Sequence, residues 1–330
     1  MSSDHKPESD QQRRRREIDL MDKRIGKSIL LPQQGSWPQT QYLLGEDAAN
    51  AIIAALATGR PLLVRGEPGV GKSQLARAAA TILKRQFLVD VVQPDSEYTD
   101  LLWRIDHTQR LAEAQLARHE QKAARNVSDV SQFLGPGALW WALNPRGADA
   151  QQRNGVSNFR PFSGFDLSAA GENGVTLLID EVDKADISLT NGLLEVLGNG
   201  GFAVPVLGKE VSAEGPPPLV VLTSNNTREL PPALLRRCVV LTLSLGKDEA
   251  AYLRRIGATV YPDIDETVRE LALTQIMADR RQCRDAPKTG LAEYLDLLNA
   301  LQTLQVAGDD PQGWITRLGS YFKKHQLSES

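Results

Sequence analysis

The stretch Pro61-Leu62-Leu63-Val64-Arg65-Gly66-Glu67-Pro68-Gly69-Val70-Gly71-Lys72-Ser73 decides how this 330-residue chain is read. An apolar run of strand length breaks at Gly66, passes through a tight Gly/Pro loop and becomes a helical segment rich in Ala, Leu and Arg. The spacing is G-x-x-x-x-G-K-S. Glycines let the backbone wrap a phosphate chain with its N–H groups, and the following helix lays the positive end of its dipole beneath them. Gly66, Glu67, Pro68, Gly69, Val70, Gly71, Lys72, Ser73 and Gln74 are therefore expected to form a nucleotide phosphate site. Lys72 would reach the β- and γ-phosphates and Ser73 would hold magnesium.

Working outward, residues 47–58 read as a helix closed by Gly59, ahead of Pro61. Residues 74–84 read as an Ala-rich helix and 87–92 as a second strand, completing a βαβ unit. Further on, Val175-Thr-Leu-Leu-Ile179 is the uniformly apolar run of a central parallel strand, ending in Asp180-Glu181. Two carboxylates there are costly unless something positive lies beside them, and a metal-bound nucleotide supplies it. Asp180 is expected to hold the metal and Glu181 to polarise the water that attacks the γ-phosphate.

Leu219-Val-Val-Leu-Thr223 reads as another core strand, with Asn225 just past its end, able to hydrogen-bond water and phosphate together. A short helix over 230–238 ends in Arg236-Arg237, where a subunit could push a guanidinium into its neighbour's nucleotide, and 239–243 reads as a last strand. Between the carboxylates and Leu219, residues 187–197 read as a helix and residues 202–211 as a short hairpin. Pro136-Gly137 marks a helix start that carries Trp140 and Trp141, expected in the core. Residues 144–173, polar and without periodicity, are expected to be weakly ordered.

Composition excludes several classes. The net charge is −3, which argues against a protein that coats nucleic acid, so nucleic acid is not an expected partner. No apolar run is long enough to cross a bilayer and the first residues lack the apolar core of a secretory signal; the expectation is a soluble cytoplasmic protein. The two cysteines, Cys238 and Cys283, have neither disulfide nor zinc spacing and read as packing residues. Residues 1–35, which carry the block Arg13-Arg-Arg-Arg16, are expected to be a flexible basic tail.

Taken in order, Gly66 to Ser73, Leu177 to Glu181, Leu222-Thr-Ser-Asn225 and the segment 230–238 resemble the Walker A, Walker B, sensor 1 and arginine-finger motifs of the AAA+ ATPases, within them the MoxR-like group. Asp100-Leu-Leu and Gly135-Pro-Gly-Ala-Leu resemble the flanks of that group's helix-two insertion. The resemblance implies a doubly wound αβα parallel-sheet core over 36–245, with the insertion at about 100–143, followed by a small α-helical lid over 246–330. It implies ATP and Mg2+ as cofactors and a ring, most often hexameric, that remodels a client protein, often with a von Willebrand A-type partner. Arg237 aligns best with the finger and Arg236 is the alternative, because the residue before the finger is usually acidic. Lys288, in Ala286-Pro-Lys288-Thr-Gly, stands where the family expects a sensor 2 arginine. Two further readings stand beside this one: an ATP-gated assembly switch that hydrolysis resets, and a DNA-acting motor.

Overall fold

The computed structural model describes residues 9–119, 127–155, 164–282, 288–304 and 311–322. Cys283, Ala286 and Pro287, residues 1–8 of the expected tail and parts of the expected insertion and lid lie outside the described residues.

In chain order the strands are β1 (Ser28–Leu31), β2 (Thr40–Leu43), β3 (Leu62–Gly66), β4 (Gln86–Val91), β5 (Trp103–Ile105), β6 (Leu134–Pro136), β7 (Val175–Asp180), β8 (Gly201–Val204), β9 (Lys209–Ser212), β10 (Leu219–Ser224) and β11 (Val239–Leu243). Five of them form one parallel sheet in the order β11-β3-β10-β7-β4; β1 with β2, β5 with β6 and β8 with β9 are antiparallel pairs. The inner strands are apolar on both faces because helices cover both. Along β3, Leu63 points into one core and its neighbours Leu62 and Val64 into the other. Trp140 and Trp141 are buried in the first core, where Trp140 meets Phe202 edge-on at 5.9 Å and Trp141 meets Phe165 at 5.2 Å. Burial pushes the Cys238 thiol, in the same core, up to about 11.

Register aligns the functional ends. Ser224 of β10 pairs with Arg65 of β3, and Leu222 of β10 with Ile179 of β7, so the ends of these three adjacent strands lie side by side. Gly66, Asp180-Glu181 and Asn225 follow directly from those ends.

The helices Glu249–Val260, Glu266–Gln282, Leu291–Thr303 and Pro311–Phe322 build a third apolar core around Leu253, Ile276, Tyr294 and Leu297, and Val70 of the phosphate loop reaches into it.

Two expectations are corrected. The tail expected over 1–35 is not flexible chain where it is described: Asp10–Asp22 is a helix and Ser28–Leu31 a strand. Ser9 and Gln12 form a capping box at the helix start. Met21 is buried in the second core, and Glu17 is buried in an ion pair with Arg85 at 2.7 Å. The stretch over 144–173 holds two helices, Pro145–Asn154 and Leu167–Asn173, each started by a capping side chain: Asn144 Oδ1 accepts from Gly147 N at 2.7 Å, and Asp166 Oδ1 accepts from Ser168 N at 2.8 Å.

Candidate functional site

Three glycines shape the phosphate loop. At Gly66 a Cβ would drive into the carbonyl of Leu243 on β11; Gly69 and Gly71 have φ of 76° and 97°, in the left-handed region where side chains strain the backbone. Gly71 is the N-cap of the helix Lys72–Leu83, so the loop amides and the helix's free N–H groups converge.

Lys72 is 6% exposed. Its ammonium donates to Gly66 O and Glu67 O, both at 2.9 Å, and to Asn225 Oδ1 at 2.7 Å. Burial lowers its pKa, and the charges of Asp180, Asp183 and Glu181 oppose that shift. Asn225 in turn donates through Nδ2 to Glu181 Oε1 at 3.1 Å, while Lys184 donates to Glu181 Oε2 at 2.5 Å. Both carboxylate oxygens of Glu181 are thus held. Its backbone is left-handed (φ 60°, ψ 45°), a conformation costing a non-glycine residue about 1–2 kcal/mol. The turn swings Glu181 off the line of β7 towards β10 and Asn225.

Ser73 Oγ donates to Asp180 Oδ2 at 3.0 Å. The other oxygen, Oδ1, accepts a short bond from the Thr223 hydroxyl, whose oxygen accepts from Glu181 N at 2.9 Å. Asp183, 2% exposed, accepts through Oδ2 from Asn225 N at 3.2 Å, Thr227 N at 2.9 Å and Thr227 Oγ1 at 2.6 Å. Burial works to raise its pKa, but these hydrogen bonds together outweigh it and hold the carboxyl below its usual range.

Pro68, Gly69, Gly71, Lys72, Ser73, Gln74, Asp180, Glu181 and Asn225 line a cavity of ≈ 550 Å³. Residues 37–43, the helices at 249–260 and 291–303, and Tyr261 complete the lining, with Tyr42 and Tyr252 among them. The volume is that of a small-molecule site. The lining combines a cation, hydroxyl, carboxylates and amides, which a phosphate chain requires, with the aromatic faces of Tyr42, Tyr252 and Tyr261, which a flat base can use. Ser73 Oγ and Asp180 Oδ2 are the hard oxygen donors that magnesium takes, so the residues present fit a magnesium nucleotide.

Residues 61–238 match the family model of the AAA domain, dynein-related subfamily. The chain belongs to that family. As an AAA+ ATPase it carries the family's nucleotide-binding fold, the parallel sheet with flanking helices followed by C-terminal helices. Among solved structures, this AAA+ chain is similar to a Cytophaga hutchinsonii protein named provisionally as an ATPase (13% identity, 94% of this chain and 85% of that one, TM-score 0.39). It is also similar to the Thermotoga maritima RuvB Holliday junction branch migration motor (14%, 84% and 67%, TM-score 0.41). A third is NtrX of Brucella abortus in complex with ATP (16%, 90% and 57%, TM-score 0.44). These likenesses are too distant to carry chemistry across. No curated protein matches the chain.

Of the other residues named from sequence, Gly66, Glu67 and Val70 complete the loop without lining the cavity. Arg236 and Arg237 are exposed at the end of the helix Pro232–Arg237 and do not line it either. Arg237 instead borders a separate cavity of ≈ 600 Å³ with Arg60 and Glu195. Lys288 is exposed and outside the nucleotide-sized cavity, and its charge is felt by Glu249. The lid cation that touches the phosphate loop is Arg280, whose Nη2 donates to Glu67 Oε2 at 2.9 Å. Sequence reading missed Arg280, Asp183, Lys184 and Thr223. Lys184 and Thr223 flank the Asp-Glu pair and Asn225 and were within reach by position; Asp183 and Arg280 carried no local signal.

Among the described residues no helix is long and apolar enough to cross a membrane.

Proposed function

We propose that this chain is a MoxR-like AAA+ ATPase that hydrolyses ATP at the boundary between copies of itself, in a ring of hexameric type, and uses the cycle to remodel a client protein in the cytoplasm. The αβα core would span 36–245 and the helical lid 246–330. The observation that supports this best is the single cavity in which Lys72, Ser73, Asp180, Glu181 and Asn225 meet, while Arg237 borders a different one. A site that lacks its arginine within one copy is completed by the next.

The residue roles follow from the contacts. Lys72 and the loop amides neutralise phosphate charge; Ser73 and Asp180 would hold magnesium, which when bound would supply Lewis-acid polarisation of the phosphates. Glu181 Oε1 and Asn225 Nδ2, already hydrogen-bonded to each other, orient the attacking water, and Glu181 draws its proton. Arg237, or Arg236 beside it, stabilises the charge that develops in a neighbour's site, an effect of about a thousandfold or more in rate. A von Willebrand A-type protein is a fitting partner for such a ring.

The test is Glu181→Gln, which should bind ATP without splitting it, with native mass measured with and without ATP and co-purifying proteins identified. A monomer under every condition contradicts the ring, and turnover at the native rate contradicts the role of Glu181. Co-purifying DNA bound with salt-sensitive affinity would favour the motor reading instead.

A further inference from the structure

Glu67 serves two partners at once. Its backbone carbonyl accepts from Lys72 Nζ at 2.9 Å, and its carboxylate accepts from Arg280 Nη2 at 2.9 Å, across 213 residues of sequence. Arg280 is buried at 6% side-chain exposure and makes four hydrogen bonds with its planar fork. Nε and Nη2 bind the two oxygens of Glu249 at 2.8 and 2.9 Å, and Nη1 donates to Thr289 O at 3.1 Å. One guanidinium therefore joins three parts of the lid: the helix Glu249–Val260, the helix Glu266–Gln282, and the segment that opens into the helix Leu291–Thr303. Two more loop residues touch the same body: a Cβ on Gly69 would lie 2.8 Å from Ala292 Cβ, and Val70 sits in the lid core.

We infer that Glu67 is a positioning residue that relays the state of Lys72 to the lid. The inference rests on the nucleotide reading of the cavity. Lys72 spends two hydrogen bonds on loop carbonyls, Gly66 O and Glu67 O. A phosphate oxygen competes for those same protons, because an ammonium is drawn to an anion by full charge–charge attraction and to a neutral carbonyl only by a dipole. Release of the Glu67 carbonyl lets its peptide turn, and the side chain carries that turn to Arg280 and so to three lid elements. The reverse also holds: moving the lid pulls on the residue that holds Lys72 in place.

Hydrogen exchange of the full chain tests the relay, with ADP and a slowly hydrolysed ATP analogue as probes, each at saturation. In the native protein, nucleotide should slow exchange in residues 249–260 and 291–303 by on the order of tenfold. Glu67→Ala and Glu67→Gln should bind nucleotide, at higher concentration if needed, yet lose most of that lid protection. Glu270→Ala is the control: it breaks the exposed Arg254–Glu270 pair within the lid, which has no arm on the loop, and should keep the protection. Full lid protection in both Glu67 variants overturns the relay. Equal loss in Glu270→Ala also overturns it, because a loosened lid then accounts for the effect. A native chain that binds neither probe overturns the nucleotide reading itself, and the relay with it.

Discussion

At the scale of single residues, the site is held by groups that do not face the cavity. Asp183 is the clearest: its carboxylate anchors the turn that carries Asn225, through Asn225 N and both donors of Thr227. Asp183→Ala leaves those donors without a partner, at a cost on the order of 1–3 kcal/mol measurable by denaturant titration, and should lower kcat more than it raises KM for ATP. Asp183→Asn keeps one acceptor oxygen and should recover much of both. Equal kinetics in the alanine variant would separate the turn from catalysis. The phosphate loop was legible from sequence because its chemistry is local: a strand end, three glycines, a lysine and a helix start are contiguous in the chain. Asp183 was harder to see, since nothing local says that a carboxylate three residues past Asp180 folds back onto the end of β10.

At the scale of elements, the N-terminal helix behaves as part of the core rather than as an appendage. Arg85 begins the approach to β4, and its guanidinium bonds Glu17 while also donating to Val175 O at the head of β7 and Pro217 O just before β10. Both side chains are almost wholly buried, at 2% and 3% exposure. Removing one partner of such a pair strands the other, so Glu17→Ala should cost about 3 kcal/mol, and thermal melts should fall accordingly; Glu17→Gln should cost less. The five strands of the parallel sheet followed from apolar runs and motif spacing, but their order did not. This helix did not, because its face carries Arg13, Glu17 and Met21 rather than a stripe of leucines, and its one sequence-level signature was Ser9 followed three residues later by Gln12. The lid contact was equally opaque: Lys288 had the expected chain position and Arg280 the buried one, and only tertiary packing tells them apart.

At the scale of the whole molecule, the ion pair that ties the lid helices Glu249–Val260 and Glu266–Gln282 together depends on pH. The Arg280 hydrogen bonds hold the Glu249 carboxyl below its ordinary 4.5, against the opposing effect of burial. A folded pKa lower than the unfolded one gives stability that is complete above about pH 4.5 and lost as the pH falls through the folded value. Thermal unfolding followed by circular dichroism should therefore move to lower temperature on acidification, and Glu249→Gln should flatten that dependence. A second consequence concerns heredity more than energy. The phosphate loop and Arg237 border different cavities of one chain. If copies join as proposed, two defective alleles, Lys72→Ala and Arg237→Ala, should rescue each other when co-expressed, because a mixed assembly would contain junctions where an intact loop meets an intact arginine.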